Sequence, residues 1–128
     1  MATIKRVFKG LTTSSLNGTA LTGSEQSSGN IDLATDGYVA AQISVAVAFH
    51  ASGTQDVEIK VYGYLDSAAV SNIASNVLRI KCDAGTTQRI SVVVPDWKHF
   101  KITAKEVGSE SNHGTVTIKY DAWRFDSA

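Results

Sequence analysis

The side chains able to do chemistry in this sequence are few and scattered. It carries three histidines (His50, His99, His113), one cysteine (Cys82) and twelve carboxylates. Metal sites need His, Cys or carboxylate ligands at short, repeated spacings, and no two of these histidines stand that way. A calcium loop needs a central Gly and a terminal Glu, a combination none of the acidic stretches supplies. Asp56, Glu58, Asp66, Asp83, Asp96, Glu106, Glu110, Asp121 and Asp126 fall mostly at predicted turns or strand ends. The nucleophile elbow, the phosphate loop and the dinucleotide fingerprint are all missing. A Ser-His-Asp triad, being a constellation in space, leaves no obligatory local signature. The sequence therefore nominates no catalytic, cofactor-binding or metal-ligating residue, and reads as non-enzymatic. Cys82, alone on an apolar run, reads as a small buried hydrophobe with no intramolecular disulfide to make.

The elements that would have to position any site are strands. The chain has 128 residues, enough for one domain whose core needs neither metal nor disulfide. Val, Ile and Thr number 13, 9 and 12 against 6 Leu, and such stiff β-branched side chains suit strands better than helices. From Tyr38 to His50, Val39, Ala41, Ile43, Val45, Val47 and Phe49 alternate with Ala40, Gln42, Ser44, Ala46 and Ala48. This period of two places the larger apolar residues on one face. Val57, Ile59, Val61 and Leu65 continue inward on the next strand, with Glu58, Lys60, Tyr62 and Tyr64 opposite. Residues 76–82, 88–94, 99–107 and 115–125 read as further strands between turn signals, and the 66–76 connection is long enough for one helical turn. Short strands near Ile4–Phe8 and Ile31–Leu33 bring the count to about eight. The predicted fold is an all-β, antiparallel, jelly-roll-like sandwich over residues 31–128. Residues 1–30, dominated after Gly10 by Gly, Ser, Thr and Asn, read as an extended N-terminal arm or edge strand.

Charge narrows the partners. Twelve Lys and Arg balance twelve Asp and Glu, which argues against nucleic-acid or membrane-surface binding driven by bulk charge. The basic start lacks the apolar stretch of a signal peptide, so the chain is expected to be made in a cytoplasm and not exported by that route. Ala40, Gln42, Ser44, Ala46 and Ala48 form a small, uncharged strip where an exposed strand usually carries charge, which suggests close approach of another surface. With Tyr62 and Tyr64 they make a candidate homo-oligomer interface, a trimer being favoured. Thirteen strand residues from Tyr38 would span ~43 Å, so this strand should kink or project beyond the sandwich. Ile4, Val7, Phe8, Leu11, Leu16 and Leu21 are spaced apolar anchors that an arm could bury on a partner. Tyr62, Tyr64, Trp97 and Trp123 could anchor an interface or stack on sugar rings.

Together, these features resemble the small jelly-roll structural proteins of tailed bacteriophages, including capsid decoration (cement) proteins. The resemblance rests on a Ser/Thr/Gly-rich lead into Gly29-Asn30-Ile31-Asp32-Leu33, the long alternating strand from Tyr38, and the segment Val57 to Asp66. It closes with Val93 to Ile102 and Thr115 to Phe125. It is a pattern of strands and turns and carries no catalytic residues. It implies a virion protein that clamps the major capsid protein without a cofactor. The alternative is a carbohydrate- or receptor-binding module of a phage neck, tail or fibre.

Overall fold

β-Branched alternation and turn residues do combine as a two-sheet sandwich. The computed structural model describes residues 3–64, 74–95 and 98–127, and every regular element in it is a strand. The first sheet runs β1 (Ile4–Phe8), β11 (Thr115–Ser127), β6 (Ala40–Ala48) and β9 (Thr87–Pro95) in spatial order. Two short segments, β2 (Thr12–Thr13) and β3 (Thr19–Ala20), follow β1 along the same edge of β11. The second sheet runs β4 (Gln26–Ser27), β10 (His99–Glu106), β7 (Val57–Tyr64) and β8 (Asn76–Ile80), with β5 (Ile31–Asp32) also on β10. All the ladders are antiparallel. Because β1–β3 share one edge and β4–β5 another, the segments fill four positions in each sheet. Successive strands mostly swap sheets, so each sheet interleaves early and late strands: this is jelly-roll order.

The core lies where the inward residues of both sheets meet. Ile43, Val45 and Val47 of β6 and Val116, Ile118 and Ala122 of β11 face Val57, Ile59 and Val61 of β7. Phe100, Ile102 and Ala104 complete it from β10, with the Phe100 ring edge-on to Tyr120 at 5.8 Å. Each large side chain fully buried here contributes roughly 1.5–3 kcal/mol of hydrophobic stabilisation.

Two expectations need correction. The strand predicted over Tyr38–His50 is the nine-residue β6, closed off by turns at both ends. On one side Tyr38 N donates to Leu33 O after Gly37, whose φ of 71° favours glycine; on the other Gly53 N donates to His50 O. The long strand is instead β11, with thirteen residues, whose last part runs past β6 beside β1.

Nor do residues 10–30 hang loose. Leu16 and Leu21 are 3% and 0% exposed and belong to the chain's own core, so they are not free to anchor a partner. Ile118 N donates to Leu16 O at 2.8 Å, and Leu21 N donates to Gly114 O at 2.9 Å. Ser28 joins the second sheet twice, its N donating to Ile102 O while its Oγ accepts from Ile102 N. The Ser and Thr residues that give this stretch its arm-like composition serve as partners along two sheet edges. The helical turn anticipated after Asp66 falls largely on positions outside the described residues, as does Trp97.

Candidate functional site: the outer face of the first sheet

In strands β6, β9 and β11 the residues that do not enter the core share one outward face. Cross-strand register sets them in rows: Thr115, Ala48 and Thr87; Thr117, Ala46 and Arg89; Lys119, Ser44 and Ser91; Asp121, Gln42 and Val93. Small side chains on the central strand between longer ones on its neighbours leave a trough along β6. Ser44, Ala46 and Ala48 line an open groove of about 480 Å³ with Thr87, Arg89, Thr117 and Lys119. Thus the small-residue strip is one continuous lane, except Ala40, which is buried within the chain beside Trp123.

Towards the C-terminal end of β11 the same face turns apolar. Trp123 and Phe125 follow Asp121 at the outward positions of β11, and Phe8, Arg6 and Ile4 stand opposite them and Ser127 on β1. The Phe8 and Trp123 rings lie 6.3 Å apart, and the Arg6 guanidinium sits 5.7 Å over both. Leu11 lines a groove with Gln42, Ser44 and Asp121 where aromatic end and small-residue lane meet, and Val93 stands across from Gln42 on β9. Ile4, Phe8, Leu11, Val93 and Phe125 are 53–70% exposed, so five large hydrophobic side chains stand in water on one face. Val7 is half-buried and points to the other side of the β1–β11 ribbon. Singly, exposed hydrophobics are ordinary; gathered on one face with polar residues around them, they mark an interaction surface.

The predicted interface residues do not all meet. Tyr62 and Tyr64 lie on the outside of the second sheet, across the sandwich from the Ala46 lane, and each is 7% exposed. The Lys101 ammonium sits 4.9 Å over the Tyr62 ring, and Tyr62 Oη donates to Glu25 at 3.5 Å. Tyr64 pairs across strands with the buried His99. The tyrosines are thus covered by their own chain and are removed from the candidate interface. Trp123, Phe125 and Val93 take their place. The signal of Trp123 and Phe125 was readable in β11, whose alternate residues pass from Thr115, Thr117, Lys119 and Asp121 to these two rings.

The titratable side chains are engaged locally. Asp32 accepts from Ala34 N, Thr35 N and Thr35 Oγ1 and bends the chain after β5; these bonds, the Thr35 hydroxyl foremost, hold its carboxyl below the usual aspartate range. His99 Nδ1 is 3.1 Å from Asn30 Nδ2, and His50 Nδ1 accepts from Ser52 N. Asp56 accepts from Cys82 N and Arg79 Nε; the Cys82 bond is the main reason its carboxyl sits low. Burial pushes the Cys82 thiol up, as does the charge of nearby carboxylates, which suits a packing residue rather than a nucleophile. Glu106, at the end of β10, clusters with Glu110 and His113 of the β10–β11 loop, and Glu110 accepts from the Thr54 hydroxyl. Among the described residues no three His, Cys, Asp or Glu side chains are placed to hold a metal ion.

No protein-family model matches the chain, and no curated protein matches it in sequence. Among solved structures it is similar to the protein of Bacillus endospore appendages, described as a novel family of disulfide-linked pili. The TM-score is 0.51 at 12% identity, over 96% of this chain and 89% of that one. It also aligns with a chain of Broad Bean Stain Virus at TM-score 0.40 and 11% identity, covering 98% and 89% of the two chains. A chain of the Israeli acute paralysis virus full particle aligns at TM-score 0.40 and 10% identity, covering 100% and 72%. At such identities the likeness is one of fold.

Proposed function

We propose that the chain is a non-enzymatic structural protein of a bacteriophage particle, attaching as a homo-oligomeric decoration protein to the major capsid protein. The observation that carries this reading is the gathering of Ile4, Phe8, Leu11, Val93 and Phe125, exposed, on the same face as the small-residue lane. Apolar surface of this kind gains by being covered, and a floor of Ser44, Ala46 and Ala48 lets a partner's backbone come close. Balanced charge supports it too, since a neutral protein meets a protein shell without long-range repulsion. Jelly-roll order is compatible with the reading but does not choose it, because one fold hosts many functions.

The rival reading, a sugar- or receptor-binding module, would use exposed aromatic rings as stacking platforms. Phe8 and Trp123 are the candidates, yet Arg6 already lies over both rings.

The test is co-purification with particles and the copy number found there. Hundreds of copies per particle support shell decoration, whereas about a dozen or fewer point to neck, tail or fibre. A chain that never enters particles but is retained on an immobilised glycan overturns the proposal in favour of its rival.

A further inference from the structure

Glu106 is the one buried acidic side chain of the described residues whose surroundings leave a polar atom unanswered. Its side chain is 2% exposed, and Oε2 has no hydrogen-bond donor among its neighbours. Oε1 lies 2.5 Å from His113 Nδ1. Glu110 raises the Glu106 carboxyl and is itself held low by Glu106, the opposed effects expected of two neighbouring acids that share one proton. Glu110 is already supplied with donors: Oε2 accepts from Thr54 N at 2.8 Å and Thr54 Oγ1 at 3.2 Å, and Oε1 from Gln55 N at 3.4 Å. A shared proton therefore belongs on Glu106, whose Oε2 is the unanswered atom, and leaves Glu110 ionised.

This contact has a mechanical consequence. Glu106 ends β10, Glu110 and His113 lie in the loop leading to β11, and Thr54 and Gln55 belong to the turn between β6 and β7. Glu110 thus joins loop to turn, and the loop is built to lie close. A Cβ on Gly114 would come within 2.7 Å of Ala48 O, and Val107 N donates to Asp56 O at 2.9 Å. We propose that Glu106, Glu110 and His113 form a pH-operated latch fastening the β10–β11 loop to the β6–β7 turn, closed when the two carboxyls share one proton and loosened when both are charged. The shallow groove of about 360 Å³ beside it, lined by Gly23, Gly108, Glu110 and His113, is open to solvent with the latch closed. The latch is independent of what the outer sheet face binds.

The signs follow from the surroundings. Burial first, then Glu110, raises the Glu106 carboxyl, with His113 pulling the other way. Burial alone would raise Glu110 as well, but the bonds from Glu106, Thr54 and Gln55 outweigh it and hold that carboxyl low. Cys82 is a further titratable group within reach of Glu106 and Glu110, and Asp56 and Asp83 act on it too. Glu106 therefore stabilises the closed latch fully below the ordinary glutamate range and loses that contribution as pH rises through its raised folded value. Glu110 contributes above the ordinary range and loses its share as pH falls through its lowered folded value. The latch is tightest between the two.

Hydrogen exchange at the amides of Thr54 and Gln55, which both donate to Glu110, reads the latch directly in the full-length chain. Protection, corrected for intrinsic exchange, should fall by up to about tenfold per pH unit through the Glu106 transition as pH is raised from about 4 to about 9. Glu106→Gln keeps a donor toward Glu110 and an acceptor toward His113, so its alkaline fall should vanish. A variant with the same pH slope as the natural chain overturns the latch. Should Glu106→Gln fail to fold, carbon-13 titration of the natural chain decides. A Glu106 carboxyl titrating above the ordinary glutamate range supports the latch, and one titrating within or below it overturns it.

Discussion

At the scale of single residues, the cost of a change depends on what surrounds the side chain more than on its type. Leu11 and Leu21 illustrate this: the first is 70% exposed and the second fully buried. Leu21→Ala should destabilise the chain by about 2–5 kcal/mol, through lost burial and the cavity left behind, while Leu11→Ala should stay within about 0.5 kcal/mol. Urea unfolding of the two variants measures the contrast, and equal effects would return Leu21 to the role of partner anchor. Tyr62→Glu is a second residue-scale case. Its ring is enclosed by Lys101 and by Glu25, so a carboxylate there is both desolvated and set beside another acid. The variant should melt well below the natural chain at any protein concentration. An unchanged melt with weakened association would instead restore Tyr62 to an interface.

At the scale of elements, the N-terminal third divides into parts with different duties. β1 pairs with the last five residues of β11, of which only Trp123 also meets β6, so it sits outside the two-sheet core. β2, β3 and β4, by contrast, close the edges of both sheets and carry Leu16, Leu21 and Ser28 between them. Deleting residues 1–8 should therefore leave a cooperative melt with a midpoint within a few degrees of the natural one, while reducing particle binding through loss of Ile4 and Phe8. Deleting residues 1–28 should abolish the cooperative transition, because it opens two sheet edges and removes two core leucines. Thermal melting beside co-sedimentation separates the outcomes. A 1–28 deletion that melts normally would revive the detachable arm.

At the scale of the whole molecule, the outer face of the first sheet joins a polar lane to an aromatic end. Substitutions at its two ends should act alike if one partner covers both. Ala46→Lys fills the lane and Phe125→Glu places charge in the apolar end, yet neither residue enters the core. Both variants should keep the natural melt to within a few degrees while particle binding falls about tenfold or more, the usual effect of burying an unpaired charge in an interface. If only Ala46→Lys dissociates the oligomer and only Phe125→Glu loses the particle, the face holds two separate contacts. Light scattering at micromolar concentration then shows whether the lane joins three copies, as the trimer reading expects.

What the sequence determined by itself is what strand geometry makes local. Alternation in β6 and β7 marked Ile43, Val45, Val47, Ile59 and Val61 as inward, since successive strand side chains point to opposite faces whatever the rest of the chain does. Composition marked the chain all-β for the same kind of reason, as side-chain stiffness acts on each residue's own backbone. Only the tertiary structure decided what covers an outward face. Tyr62 and Ala46 are both outward by period, but Glu25 and Lys101 arrive over one and no described residue closes over the other. It also decided the fate of Leu16 and Leu21, whose sparse setting carries no period but whose backbone meets β11 about a hundred residues later. Glu106, Glu110 and His113 escaped notice because a loop brings them together: spacing along a chain specifies a face within a strand, but not which turn a loop folds down upon.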